Sequence, residues 1–341
     1  MASKLRTMIN SELPKIAVLA GGYSGESVIS IQSAAAVMEN IDRTKFNPYL
    51  VRIDQNNWCV ELEDNSKQQI DRETFTYKDR NGNNLSFDAI FIMVHGTPGE
   101  DGVLQEYFEN IGLPFSTGSS SSVSCTFNKF EANNKLRDAG ILVADSWEVK
   151  KGTVLNDSNL KEIVRHVKLP CFVKPNQGGS SLGVSRVESI QDINLSINNA
   201  FETGSPSVIV ESLLDGREFS IGVIPGEDGL PQIMPITEII SDNIFFDYEA
   251  KYEGASTEIT PAQLSSGILE KIQTVVKKTL AILECKGMVR VDIILVNGDM
   301  PAVLEVNSVP GFTKMSLLPQ QLDYAGIKVD QIITRIISRL L

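Results

Sequence analysis

Near the C-terminal end, "VLEVNSVPGF" (Val303 to Phe312) sets Glu305 and Asn307 two positions apart in what otherwise reads as a buried strand. Side chains two apart in a strand share a face, so the carboxylate and the amide point the same way. Upstream, "MVRVDIILV" repeats the spacing with Arg290 and Asp292. If the segments pair through the "NGDMP" turn, four polar groups converge on one surface. Among apolar neighbours they would be destabilising unless something satisfies them. Asp292, Glu305 and Asn307 offer the hard oxygen donors that Mg²⁺ takes, with phosphate and water completing an octahedral shell. A bridging Glu suits two such ions on the β- and γ-phosphates of a nucleotide. The other reading is a salt-bridge layer of Arg290, Asp292 and Glu305 on a solvated face. The apolar flanks favour the metal site.

A second stretch, "KPNQGGSSLGV", begins at Lys174 and holds Gly178, Gly179, Ser180 and Ser181. It is not a Walker A loop, because a strand rather than a helix follows. A strand–loop–strand of this kind can fold over a triphosphate and offer backbone N–H groups. Taken alone it reads equally as a flexible hairpin tip. Lys174 tilts the balance, since a lysine ending "CFV" is costly in a buried strand without a compensating anion. Glu211 and Glu218 in "VESLLDGREF" could accept an adenine amine and ribose hydroxyls, or they are surface carboxylates around a turn. Lys129 in "TFNKFEANN" is likewise a phosphate ligand or an exposed helix lysine.

These residues need elements to hold them. The first segment alternates strand and helix: "KIAVLA", a helical "SVISIQSAAAVMENI", "YLVRI", "DAIFIMV" and a helical "VLQEYFENI". That pattern predicts a parallel sheet, with ligands gathering beyond the carboxyl ends of its strands. The loops "GGYSGE" and "HGTPGEDG" sit at such ends. The serine cluster Ser116–Ser124 reads as a boundary, and "FNKFEANNKLRDAG" after it as one helix closed by Gly140. "CFVKP", "GVSRV" and "SVIVESLL" then read as strands, with a helix around Ile190–Thr203. From Asp215 onward "REFSIGVI", "IMPITEII", "MVRVDIILV" and "AVLEVN" read as successive strands, interrupted by one helix over Pro261–Leu283. The tail carries Ile333, Ile336, Ile337, Leu340 and Leu341 on one helical face. Three units fit: 1–120, 121–214 and 215–341.

At 341 residues the chain exceeds the usual single-core size, while 42% hydrophobic and 22% charged residues are ordinary for a globular protein. A net charge of −12 argues against a nucleic acid or an anionic membrane as partner. The four cysteines form no CxxC pair, and two histidines are too few for a Cys/His zinc site. Reduced thiols, no signal-like N-terminus and no spanning apolar run point to a cytoplasmic protein.

Taken together, "LAGGYSGESVIS", "HGTPGEDGVLQ", "FVKPNQGGSSLGVS", "FFDYEAKY", "VRVDIILV" and "LEVNSVPGFTKMS" resemble the D-alanine–D-alanine ligase family of the ATP-grasp fold. Each motif is weak alone; six in order are specific. The resemblance implies an N-terminal parallel-sheet α/β domain, with two further domains of α/β and α+β character clasping ATP. It also implies two Mg²⁺ (or Mn²⁺), a homodimer, and formation of D-alanyl-D-alanine through an acyl phosphate for peptidoglycan.

By the same resemblance, Lys129 and Lys174 neutralise the α- and β-phosphates, and Gly178, Gly179, Ser180 and Ser181 cover the transferring group. Glu211, Leu214 and Glu218 contact the nucleoside, and Asp292, Glu305 and Asn307 hold the metal ions. Glu26 anchors the first D-alanine's ammonium, with His95 near its carboxylate. Arg290 and the Gly311 N–H form an oxyanion hole, and Ser316 takes the second carboxylate. Alone, Glu26 also reads as a carboxylate favoured at a helix N-terminus, and His95 as a loop histidine. "FFDYEAKYEGAS" reads on composition as an Ω-loop. The family places Lys251 there on the transferred phosphate, and Tyr252 linked to Ser180 and Glu26, which favours the peptide-forming class. Two positions depart from the family pattern. Glu106 replaces a small residue and is expected to alter packing behind the His95 loop, and Ser212 replaces a basic residue beside adenine. The rival functions are a ligase using D-lactate or D-serine, and a nucleotide-binding regulator without turnover.

Overall fold

The structure is a computed structural model that describes residues 13–62, 64–179, 182–241 and 256–341. Strand β1 (Lys15–Gly21) leads through helix α1 (Ser27–Asn40) to β2 (Asn47–Ile53). Four short strands follow: β3 (Trp58–Glu61), β4 (Lys67–Asp71), β5 (Thr76–Lys78) and β6 (Asn84–Leu85). Then come β7 (Ala89–Ile92) and α2 (Val103–Ile111). The sheet order is β6-β5-β4-β3-β2-β1-β7. Only β2-β1-β7 is parallel, as the alternating pattern predicts; β3 to β6 extend it as an antiparallel meander. The reason is loop length: Asp54–Asn57 and Asp79–Asn83 are too short for a crossover helix, so the chain must reverse.

Both faces of β1 are buried. Ile16, Val18 and Ala20 pack toward α1 on one side, and Ala17 and Leu19 toward an aromatic layer on the other. This double burial makes "KIAVLA" a continuous apolar run. The aromatic layer includes Trp58, whose indole N–H donates to the Tyr23 hydroxyl at 3.1 Å and so braces the "GGYSGE" loop.

The serine-rich stretch is not a linker. It folds as α3 (Ser120–Phe127), capped by the Ser119 side chain, which accepts from the Ser122 amide. The Ser122 hydroxyl then donates to the Leu283 carbonyl at 2.7 Å. A cap and a tertiary anchor override the weak helix propensity of serine. Asn128 caps α4 (Lys129–Asp138), which is the single helix expected after the serine cluster, starting two residues later than Phe127 and closed by Gly140.

The second sheet contains β8 (Ser146–Lys150), β9 (Cys171–Pro175), β10 (Ser185–Val187) and β11 (Ser207–Ser212), ordered β10-β9-β11-β8 and antiparallel. It is covered by α5 (Asp157–Val167) and α6 (Ile193–Phe201). The third sheet is also antiparallel, with the path β15-β14-β12-β16-β17 and β13 on the edge of β12. Its strands are β12 (Gly216–Pro225), β13 (Pro231–Ile233), β14 (Thr237–Ser241), β15 (Ser256–Ile259), β16 (Val289–Val296) and β17 (Met300–Asn307). Its core face carries Phe219, Val291, Ile293, Val303 and Val306 against α7 (Ser266–Ile282). The chain ends in α8 (Leu317–Tyr324) and α9 (Val329–Leu340), and α9 buries Ile333, Ile336 and Ile337 against the first sheet. Burial of each such side chain contributes about 1.5–3 kcal/mol. Three cysteines are buried and Cys285 is half-buried; all four are free thiols. No helix among the described residues is long and apolar enough to cross a membrane.

Candidate active site

The second and third sheets face each other across a cleft of about 1310 Å³, closed at one end by Glu26, His95 and Glu100, which follow β1 and β7 of the first sheet. Strands β16 and β17 build its floor. Arg290 lies opposite Asn307, and Asp292 opposite Glu305. Immediately after Asp292 the register shifts, so Ile293 pairs with Val303 and Leu304 is the extra residue of a bulge. Strict alternation would put Val303 on the same face as Glu305. The bulge instead sends Val303 to the core and lets both Leu304 and Glu305 line the cleft.

Arg290 is gripped by Asp292: Nε lies 3.0 and 3.1 Å from its two oxygens, and Nη2 2.8 Å from Oδ2. Glu305 Oε1 is 3.5 Å from Nη2. Burial opposes the guanidinium charge, but Asp292 and then Glu305 outweigh it and raise the Arg290 pKa above its ordinary value. Asp292 also accepts from the Ser220 hydroxyl at 2.7 Å, and the Asn307 amide lies 3.4 Å from Glu305 Oε1. The salt-bridge layer is therefore present, yet it lies in a cleft rather than on a solvated face. Among the described residues no group of three or more His, Cys, Asp or Glu is arranged to hold a metal alone. Two carboxylates and one amide fit a hard cation whose remaining ligands are phosphate and water, because that ion is usually bound through one or two carboxylates.

Opposite this floor stand Lys129 and Lys174. The anion compensating Lys174 is Glu211 on the neighbouring strand, with Nζ 2.5 Å from Oε2. Glu211 Oε1 accepts from Asn133 Nδ2 at 2.8 Å. Lys129 is partly buried rather than exposed, and its ammonium donates to the Gly178 carbonyl at 2.6 Å. Burial lowers the Lys129 pKa; Glu305 opposes that shift and Lys174 adds to it. Leu214 and Glu218 line the same cleft. Ser212 turns away from a basic residue's role, its hydroxyl accepting from the Asp145 amide at 3.0 Å.

At the closed end, a Cβ on Gly179 would lie 2.7 Å from Glu26 Oε1, so glycine lets the loop lie against that carboxylate. His95 is buried, and both ring nitrogens are engaged. Nδ1 is 2.9 Å from the Val309 carbonyl, which can only accept, so Nδ1 carries the proton. Nε2 therefore accepts from the Ser33 hydroxyl at 3.0 Å. Burial lowers the His95 pKa, against the opposing charge of Glu26. The imidazole thus holds the loop that carries Gly311. A Cβ on Gly311 would lie 3.0 Å from Ser316 Oγ, and Ser316 in turn accepts from the Thr313 amide at 3.0 Å.

Ser180, Ser181, Lys251 and Tyr252 lie outside the described residues. Glu106 is exposed on α2, so it does not pack behind the His95 loop; its buried neighbour Gln105 does the packing there, donating to the Gly99 carbonyl at 2.7 Å. Three polar residues escaped the reading of the sequence. Asn176 donates to Asn128 Oδ1 and Ser207 Oγ at 2.9 Å each and accepts from the Phe130 amide at 2.8 Å, which fastens α4 to the glycine-rich loop. Glu100 accepts from the Gly96 amide at 2.7 Å. Ser33 faces the core from α1. For Ser33 the signal was a polar residue on the buried face of α1, whereas Asn176 and Glu100 lie in loops and offered none.

Two antiparallel sheets closing on a cleft, with lysines on one wall and paired carboxylates on the other, define an ATP-grasp ligase. The chain matches the family model described as D-ala D-ala ligase N-terminus over residues 15–119, and that described as D-ala D-ala ligase C-terminus over 136–338. It belongs to the D-alanine–D-alanine ligase family. A curated relative named D-alanine--D-alanine ligase, from Phocaeicola vulgatus, is 41% identical over 95% of this chain and 98% of its own length. Among solved structures, the VanG D-Ala:D-Ser ligase from Enterococcus faecalis superposes with a TM-score of 0.84 at 28% identity, covering 97% of this chain and 100% of that one. A D-alanine--D-alanine ligase from Bacillus anthracis complexed with ATP gives a TM-score of 0.75 at 25% identity, over 96% and 97%.

Proposed function

We propose that this protein joins two molecules of D-alanine, with ATP, to give D-alanyl-D-alanine, ADP and phosphate for peptidoglycan synthesis. It is an ATP-dependent ligase of the cytoplasm and a homodimer, built of units 1–120, 121–214 and 215–341. The observation that carries the reading is the bulged β16–β17 ladder, which gathers Arg290, Asp292, Glu305 and Asn307 opposite Lys129 and Lys174.

A carboxylate is a poor electrophile, and condensation with an amine is unfavourable in water. The first D-alanine, its ammonium at Glu26 and its carboxylate near His95, attacks the γ-phosphorus of ATP. The bond to the β-bridging oxygen breaks, ADP leaves, and an acyl phosphate forms. The second D-alanine is held at Ser316, where the N-terminus of α8 favours a carboxylate. Its deprotonated amine attacks the acyl carbon, and the oxyanion is stabilised by Arg290 and the Gly311 N–H. The tetrahedral intermediate then gives up the extra amine proton, taken up by the departing phosphate, and the C–O bond to phosphate breaks, leaving the amide. Lys129 and Lys174 face the α- and β-phosphates. Gly178, Gly179, Ser180 and Ser181 cover the transferring group, and Glu211, Leu214 and Glu218 contact the nucleoside. Asp292, Glu305 and Asn307 would hold two Mg²⁺ or Mn²⁺, which supply charge neutralisation on the phosphates. By the family resemblance, Lys251 would serve the transferred phosphate, and Tyr252 with Ser180 and Glu26 would help exclude water from the acyl phosphate.

The test is incubation of the purified chain with ATP, Mg²⁺ and D-alanine, D-lactate or D-serine as acceptor, following phosphate and product by mass. Phosphate release and dipeptide with D-alanine are expected. Product only with D-lactate or only with D-serine overturns the choice of acceptor, and no turnover with any of them overturns the ligase reading.

A further inference from the structure

Gln321 lies on α8 and is fully buried, and its primary amide is spent on the third sheet. Oε1 accepts from the Gly222 N–H at 2.8 Å, while Nε2 donates to the Ser220 carbonyl and to Thr237 Oγ1 at 2.9 Å each. The location explains the cost of burying it. Strand β12 is paired by β14 up to Ser220 and by β13 from Val223 on. Between the two partners, the Gly222 N–H and Ser220 C=O face the same gap. A side-chain amide, with one acceptor and two donors, fills it as a strand's peptide group would, so no buried polar group is orphaned. Gly222 is required there, because a Cβ would come within 2.4 Å of Gln321 Oε1.

What this joins is functional. Ser220 on β12 donates through its hydroxyl to Asp292. Gln321 sits on the helix whose N-cap is Ser316. We infer that Gln321 is a positioning residue that fixes the distance between the acceptor amino-acid site at Ser316 and the phosphate side of the cleft at Asp292. The inference rests on the proposed ligase reading. It predicts a specific failure: without the amide, α8 moves relative to β12, the acceptor is misplaced, and the acyl phosphate is lost to water.

The experiment compares the full chain with Gln321→Met, which keeps volume and removes the amide, and with Thr237→Val, which removes one acceptor. Three readouts are needed: KM for ATP, KM for the second D-alanine, and the ratio of phosphate released to dipeptide formed. Gln321→Met is expected to raise the second D-alanine KM by about tenfold and the ratio above that of the parent, leaving the ATP KM within about twofold. Thr237→Val is expected to move the same two quantities less. A merely structural role would lower stability without changing the ratio. If the parent forms dipeptide and Gln321→Met changes neither the acceptor KM nor the ratio, the inference is overturned. If Gln321→Met does not fold, Thr237→Val decides by the same readouts. A parent that forms no dipeptide removes the ligase reading instead, which is a separate result.

Discussion

The Phe312 amide donates to the Ser33 hydroxyl at 3.1 Å, joining residues 279 positions apart. The same hydroxyl donates to His95 Nε2, and His95 Nδ1 donates to the Val309 carbonyl, so the loop 309–312 is held at both ends. Helix α1 thereby sets where the Gly311 N–H points. Ser33→Ala leaves the Phe312 N–H and His95 Nε2 without their partner in a buried site. A loss of about 1–3 kcal/mol of stability is expected, with a fall in kcat for dipeptide formation. Chemical denaturation and steady-state kinetics would check it; unchanged kcat would show that the loop does not depend on Ser33.

Asn176 makes the corresponding attachment on the other wall. Asn176→Ala removes the side-chain bonds to Phe130 and Asn128 and leaves only the Lys129 amide on the Asn176 carbonyl, loosening α4 and with it Lys129, whose ammonium holds the Gly178 carbonyl. The expected outcome is a destabilisation of about 1–3 kcal/mol and a raised KM for ATP with little change in that for D-alanine. Equal changes in both constants would count against a role confined to the nucleotide wall.

Glu305→Gln tests the floor of the cleft. The change keeps volume, but it replaces a carboxylate that faces Asp292 across the ladder and lies near Arg290. Turnover should be abolished while the thermal midpoint stays near that of the parent. Full activity in this variant would remove Glu305 from the metal set.

Much of this arrangement is readable in the sequence because it depends on local periodicity. Arg290 with Asp292 and Glu305 with Asn307 need only the two-residue repeat of a strand. The parallel strands follow from apolar runs alternating with helices. The bulge at Leu304 is not readable that way, since alternation presumes a regular ladder and the extra residue appears only when β16 is beside β17. The helix α3 is hidden for a different reason. Its serines are poor helix formers, and its stability comes from a cap and from an anchor to Leu283. Asn176 and Gln321 look like ordinary polar residues, and their meaning lies entirely in distant partners.

Glu100 offers a test through pH. Its carboxyl is pushed up to about 8 from 4.5, first by burial and then by the Glu26 carboxylate, with the Gly96 amide opposing. A carboxyl whose folded pKa exceeds its unfolded one keeps its proton longer in the native state. Its contribution to stability is therefore complete below about 4.5 and declines as pH rises through about 8. Glu100→Gln removes the titration while keeping an oxygen for the Gly96 N–H. Relative to the parent, this variant should gain stability progressively across that window, seen as a thermal midpoint less sensitive to pH. Parallel pH profiles for the two proteins would mean that Glu100 is ionised in the native state throughout the range, and that Gly96 and the cleft cations, not burial, govern it.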